Sequence, residues 1–191
     1  MQFNAVIAGF GGQGVLLTGQ LLAYAGLIEN KHVAWIPSYG PEMRGGTAHC
    51  SVIISDDRIG SPLVEEPGVA LVFNRPSLDK FEPLMRPGGI LVSNSSIVDK
   101  KAERKDLYLY EIPAGETARR LGNDRVANMV MLGACLELTG VVSTDAVMKA
   151  LVKIMPGKKS NIIDINRKAV LAGAGFVKGN VPKAVLMTTS Y

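Results

Sequence analysis

Hydrophobic and polar positions along this chain switch between two periods, and the switches outline alternating strands and helices. Residues 3–8 form a short apolar run that ends at glycine, which predicts a buried strand. Residues 15–28 are rich in Leu and Ala and apolar almost all round, which predicts a helix buried between layers or beneath a partner. Residues 32–36 read as a second strand closed by Pro37. Residues 48–55 (AHCSVIIS) read as another, with Asp56-Asp57 as a turn signal and a short edge strand returning over 58–62. Residues 69–73 and 90–92 are buried strands. Between them lies a short helix over 76–85, with Pro76 in its first turn where a missing N–H does no harm, and Pro87-Gly88-Gly89 breaks it. Residues 107–112 form a further strand with Tyr108 and Tyr110 on one face.

The remainder is helical. Helices are predicted over 113–121 and over the strongly apolar 125–138, which stops before Gly140. Ser143 caps the next, whose Val147, Ala150, Leu151 and Ile154 share one stripe until Pro156-Gly157. The last covers 161–172. Residues 176–191 read as a tail with a short strand at 184–187, leaving a single domain over 1–175. Strands alternating with helices in the first two-thirds predict an α/β fold with a largely parallel sheet. The 48–55 strand follows its predecessor without a helix, so the sheet has room to be mixed.

Composition narrows the function classes. At 47% hydrophobic residues, the chain has enough apolar content for its own core. Beyond residue 148 it carries eight Lys or Arg against one acid, and before that point thirteen against sixteen. The basic end suits an acidic partner or a solvated helix face. Its bases follow helical periods and are not interleaved with aromatics, which argues against nucleic acid. Cys50 and Cys135 lie far apart in apolar runs with no CxxC, so this chain alone cannot ligate an iron–sulfur cluster, and two free thiols fit a reducing compartment. The chain enters a strand pattern at once, without a basic leader, and the 15–28 run is too short for a bilayer. A cytoplasmic location without membrane contact is the expectation.

Two glycine-rich loops carry the candidate chemistry. The first, Gly9-Phe10-Gly11-Gly12-Gln13-Gly14, places GxGxxG between a strand and a helix, the dinucleotide fingerprint in its context. Gly9 permits the tight turn, Gly11 lets backbone approach a phosphate and Gly14 lets helix pack on strand. N–H groups at the helix start would face an anion. The plainer reading is a sharp strand-to-helix turn, beyond whose needs Gly12 and Gln13 go. The ribose-binding acid of a dinucleotide site is missing. Glu29 lies before the second strand and Glu42 lies beyond Pro37.

The second loop, Ser38-Tyr39-Gly40-Pro41-Glu42-Met43-Arg44-Gly45-Gly46-Thr47, is long, polar and aromatic, as functional loops tend to be. Arg44 beside Gly45-Gly46 joins a guanidinium to exposed backbone N–H groups, which suits phosphate or carboxylate; a simple Glu42–Arg44 pair is the alternative. Tyr39 would stack on a ring or fill a subunit contact. In a doubly wound sheet both loops lie on one edge, at the ligand crevice.

GFGGQG, then SYGPEMRGGTAHCSVIIS, then IGSP at 59–62, with Arg125-Val126-Ala127-Asn128-Met129 and the stretch around Asn166, resemble the gamma subunit of 2-oxoacid:ferredoxin oxidoreductases over residues 3–173. The second loop is most similar to the 2-oxoglutarate type; related chains serve pyruvate, branched-chain 2-oxoacids and indolepyruvate. The resemblance implies a Rossmann-like three-layer fold and a subunit that is not a complete enzyme. In such complexes thiamine diphosphate and Mg²⁺ sit between alpha and beta subunits. Iron–sulfur clusters lie in the beta or a delta subunit, and ferredoxin receives the electrons. This chain alone would hold none of these groups. By resemblance it lies near the coenzyme A route, with Gly9, Gly11, Gly12, Gln13, Gly14, Ser38, Tyr39, Gly40, Glu42, Arg44, Gly45, Gly46 and Thr47 as cofactor-side residues. No residue is assigned a catalytic or metal-ligating role. Purified alone, such a subunit would expose its docking surface and self-associate, for instance as a homodimer. A stand-alone nicotinamide enzyme and a purely architectural subunit are the readings that compete.

Overall fold

A computed structural model describes residues 2–39, 46–157 and 160–180. The expectations for Gly40, Glu42, Arg44, Gly45 and the 184–187 strand fall outside these residues. The elements in chain order are β1 (Gln2–Phe10), α1 (Val15–Ile28), β2 (His32–Tyr39), β3 (Thr47–Ser55), β4 (Val69–Val72), α2 (Arg75–Phe81), β5 (Ile90–Asn94), β6 (Tyr108–Ile112), α3 (Ala114–Arg120), α4 (Ala127–Thr139), α5 (Thr144–Ile154) and α6 (Ser160–Asn180). Single 3₁₀ turns follow α2 and precede α4.

The six strands form one mixed sheet in the order β2-β3-β1-β4-β5-β6. β1, β4, β5 and β6 are parallel. β3 pairs antiparallel with both β1 and β2, so the strand that arrives without a helix is the one that reverses. β2 does not stop at Pro37 as expected; it runs on to Tyr39, with Pro37 opposite Cys50. An edge strand tolerates this, because proline's missing N–H can face away from the ladder. No strand forms over 58–62.

The two faces of the sheet are covered unequally. On one, Ala5, Ile7, Val52, Ile54, Leu71 and Val92 meet α1, α3, α4, α5 and α6. On the other, Val6, Ala8, Ala70, Val72 and Leu91 meet Leu78, Phe81 and Met85 from α2 and the turn after it, with Val98 from the crossing to β6. Glu82, 5% exposed, pins that crossing by accepting the N–H groups of Glu103 and Arg104.

α4 is the central helix. Met129 to Cys135 are buried throughout, so its all-round apolar sequence is satisfied within this chain and needs no partner. α6 crosses it at backbone contact. A Cβ on Gly133 would strike the Val170 carbonyl, and a Cβ on Gly173 would strike that of Val130. This contact explains why α6 outlasts its expected end at Ala172 and reaches Asn180, burying Gly173 and Val177 on the way. α1 lies on β2 and β3 through Gly19 and Gly26, where a Cβ would meet Cys50, Trp35 and Val33. Ser143 caps α5 as expected, its side chain accepting from Ala146 N–H at 3.1 Å.

Gly133→Ala forces α4 and α6 apart. The expected loss is roughly 1–3 kcal/mol, as for overpacked cores, or roughly 2–12 °C in thermal midpoint. An unchanged midpoint would show that the crossing is looser than described.

Candidate functional site

The first glycine loop turns from β1 into α1, and its glycines answer to different constraints. A Cβ on Gly9 would lie 2.6–2.9 Å from Gln13, Phe73 and Val15. Gly12 has φ +98° and open space around it. Gly14 has φ +78°, forms the N-cap of α1, and a Cβ there would sit 2.6 Å from the Asn128 amide. So Gly14 makes room for α4, rather than for packing of α1 on its own strand.

Part of the loop's hydrogen-bonding capacity is committed inside the chain. Gly11 N–H donates to the Gly46 carbonyl at 2.8 Å, and Gln13 N–H to the Phe10 carbonyl at 3.1 Å. Gln13 Oε1 accepts from Phe10 N–H at 2.6 Å and from Asn74 Nδ2 at 3.4 Å, while its Nε2 donates to the Phe73 carbonyl at 3.3 Å. Gln13 therefore braces the loop against the end of β4. The N–H groups expected to meet an anion are fewer than the motif alone suggests.

The Gly11–Gly46 bond ties the two glycine loops together on one sheet edge, as a doubly wound reading requires. Thr47 lies opposite Phe10 at the start of β3. Ser38 and Tyr39 end β2, one strand further out, and Ser38 is exposed. This geometry also explains the missing ribose acid. In a dinucleotide fold the second strand adjoins the first, whereas here β3 intervenes and moves the end of β2 roughly 10 Å from β1. Glu29, the nearest acid by spacing, accepts the Ser143 N–H at 2.7 Å in the joint between α1 and α5.

From β1 the chain winds to β2 and β3 on one side and to β4, β5 and β6 on the other. The crevice beyond β1 and β4 is thus the topological switch point, where α/β folds bind ligands. A cleft of about 240 Å³ opens there. Gly12 and Gln13 line it from the loop, Phe73 and Asn94 from the ends of β4 and β5, and Asp124, Arg125 and Asn128 from the approach to α4. Asn94 and Asn128 are 1% and 4% exposed. The sequence reading assigned neither residue to the site, although Asn128 lies in the 125–129 run that carries the resemblance. The available signal was an asparagine closing each apolar strand run, Asn74 after β4 and Asn94 in β5, on the edge where ligands bind.

Burial pushes the Cys50 thiol up to about 11 and the Cys135 thiol up to about 12, so both are protonated and weakly nucleophilic at neutral pH. Among the described residues, no three His, Cys, Asp or Glu side chains come together as a metal site. No described helix is long and apolar enough to cross a membrane.

Over residues 4–176 the chain matches the family described as Pyruvate ferredoxin/flavodoxin oxidoreductase. It is 43% identical over 176 residues to ketoisovalerate oxidoreductase subunit VorA of Methanothermobacter marburgensis, covering 92% of this chain and 36% of VorA. The chain thus spans about a third of that relative's own length. It is 36% identical over 153 residues to 2-oxoglutarate synthase subunit KorC of Methanocaldococcus jannaschii, covering 78% of this chain and 82% of KorC. The gamma subunit of a keto/oxoacid ferredoxin oxidoreductase from Geobacter sulfurreducens superposes with a TM-score of 0.79 at 32% identity, covering 93% of this chain and 99% of that one.

Gly14→Ala should cost more stability than Gly12→Ala. Both strain a left-handed backbone by roughly 1–3 kcal/mol, but only the first also collides with Asn128. Chemical denaturation of the two variants, with Asn128→Ala added to complete a double-mutant cycle, is expected to show coupling at Gly14 and none at Gly12. Equal losses without coupling would contradict this geometry.

Proposed function

The chain belongs to the pyruvate ferredoxin/flavodoxin oxidoreductase family, and on that premise we propose that it serves as the gamma-type subunit of a multi-subunit 2-oxoacid:ferredoxin oxidoreductase. The reaction is the oxidative decarboxylation of a 2-oxoacid with coenzyme A to acyl-CoA, CO₂ and reduced ferredoxin. Thiamine diphosphate with Mg²⁺ would supply the carbon nucleophile, and iron–sulfur clusters the electron path, on alpha, beta and delta partner subunits rather than on this chain.

The role proposed for this chain is to shape the coenzyme A side of the site. The observation that carries it is the Gly11–Gly46 bond, which joins both glycine loops at the switch-point crevice. Gly9, Gly11, Gly12, Gln13 and Gly14 set the backbone there. Ser38, Tyr39, Gly40, Glu42, Arg44, Gly45, Gly46 and Thr47 are the second-loop candidates, with Arg44 proposed for an anionic group because a guanidinium pairs with phosphate in a bidentate manner.

For the substrate, two supports differ. The second loop resembles the 2-oxoglutarate type, whereas VorA, at 43% identity, is named for ketoisovalerate. We take a branched-chain 2-oxoacid as the leading reading and 2-oxoglutarate as the second. The choice between acids falls to side chains of the thiamine-binding subunits.

Affinity capture of the tagged chain from its native cell extract, assayed for coenzyme A-dependent reduction of a viologen dye with a panel of 2-oxoacids, tests this. The expected result is co-purifying subunits that oxidise one acid of the panel. A chain recovered alone and inert, with micromolar NAD(H) affinity by calorimetry, would contradict it.

A further inference from the structure

The connection from β3 to β4 carries an arm with few ties to the rest of the chain. Residues 58–66 form neither helix nor strand. Among the described residues their main chain makes one hydrogen bond, Leu63 N–H to Ser61 Oγ at 3.3 Å. Leu63, at 67%, is the most exposed large hydrophobic side chain of the described residues. Glu65 and Glu66 follow it, exposed and without an ion pair to any described residue. Over residues 56–66 four acids stand against the single base Arg58. An apolar side chain that exposed, set among unpaired carboxylates, marks an interaction site.

The same molecule carries a surface of the opposite charge. A groove of about 270 Å³ opens between α5 and α6, lined by Met148, Val152 and Ile163 with Lys149 and Arg167 beside them. Val152 is 55% exposed, and Leu171, 54% exposed, extends the Ile163–Arg167 stripe of α6 by one more turn. The groove's volume is below the ~300–1,000 Å³ of small-molecule pockets, which suits a side chain or two from a protein. Its one lining acid, Asp145, is already paired with Lys149 at 2.7 Å. Beyond residue 148 the chain has eight Lys or Arg against one acid, so the groove sits in positive surroundings.

The arm does not fill the groove of its own chain, since no residue of 56–66 lines it. The two surfaces nevertheless lie near each other. Lys31 Nζ pairs with Asp56 at the root of the arm at 3.6 Å and donates to the Val141 carbonyl, just before α5, at 3.2 Å. With arm and groove side by side, two copies related by a twofold axis can each present an arm to the other's groove, so the contact is made twice and closes.

We propose that this chain pairs with a second copy of itself, the Leu63 of each copy seated between α5 and α6 of the other, with Glu65 and Glu66 facing Lys149 and Arg167. The apolar contact supplies affinity and the charges set the orientation. The pairing does not depend on which 2-oxoacid the complex oxidises.

Sedimentation velocity of the isolated full-length chain tests this. A reversible dimer is expected, with a dissociation constant on the order of micromolar for so small an interface, weakened as salt is raised. Leu63→Asp and Val152→Asp change exposed positions and leave the core alone. Each is expected to weaken the dimer about tenfold or more. An equimolar mixture of the two variants is expected to dimerise more tightly than either alone, because one intact arm still meets one intact groove. A chain that stays monomeric, a dimer indifferent to both substitutions, or a mixture no tighter than its components overturns the proposal. In the native complex, a chain carrying Leu63→Cys and Val152→Cys is expected to form a disulfide between its two copies on mild oxidation, with Cys50 and Cys135 buried and out of reach. No such bond, or attachment of residue 63 to a different subunit, also overturns it.

Discussion

The structure depends on α4 lying closer to its neighbours than side chains would permit. Gly133 and Gly173 let it touch α6 backbone to backbone, and Gly14 lets its first turn press against the start of α1. Each contact requires a missing Cβ, and each carries mechanical consequences. The α6 crossing buries α4 on its outer side, and the sheet buries it on the inner side. The Gly14 contact couples this rigid unit to the first glycine loop. The loop is held where it is because α4 cannot move away.

A second constraint follows from strand order. β3 occupies the place beside β1 that a dinucleotide fold gives to its second strand. That substitution removes the geometry for a ribose acid and brings the return of the second loop, at Gly46, onto the first. The same glycine fingerprint therefore serves a crevice of different chemistry, lined by carboxamides and rimmed by Arg125 and Asp124. Both thiols of the chain lie buried in the core and stay protonated.

Much of the fold was legible in the sequence because short-range rules governed it. Ser143 capped α5, the apolar runs at 69–73 and 90–92 became adjacent buried strands, and the helix-free step into 48–55 became the antiparallel strand. Elements failed where tertiary context overrode local signals. Pro37 closed β2 on paper but lies inside it, because nothing in the local sequence reveals that β2 is an edge. Ala172 looked like a helix end, yet α6 continues because Gly173 and Val177 find α4 beneath them. Within the site, the glycine motif located the loop. The motif did not show that the Gln13 side chain braces the loop from within, nor that Asn94 and Asn128, which are far apart in sequence, share a cleft. Such convergence depends on strand order, which no local pattern encodes.

The proposed function turns on the switch-point edge, with its joined glycine loops, being the face towards the partner subunits. Hydrogen–deuterium exchange of the chain alone and within its native complex tests this most directly. The account predicts that assembly adds protection at residues 10–14, 46–47, 94–97 and 124–128, while α4, already buried, changes little. Protection confined to the outer surface of α5 and α6, with the glycine loops exchanging as freely as in the isolated chain, would contradict it.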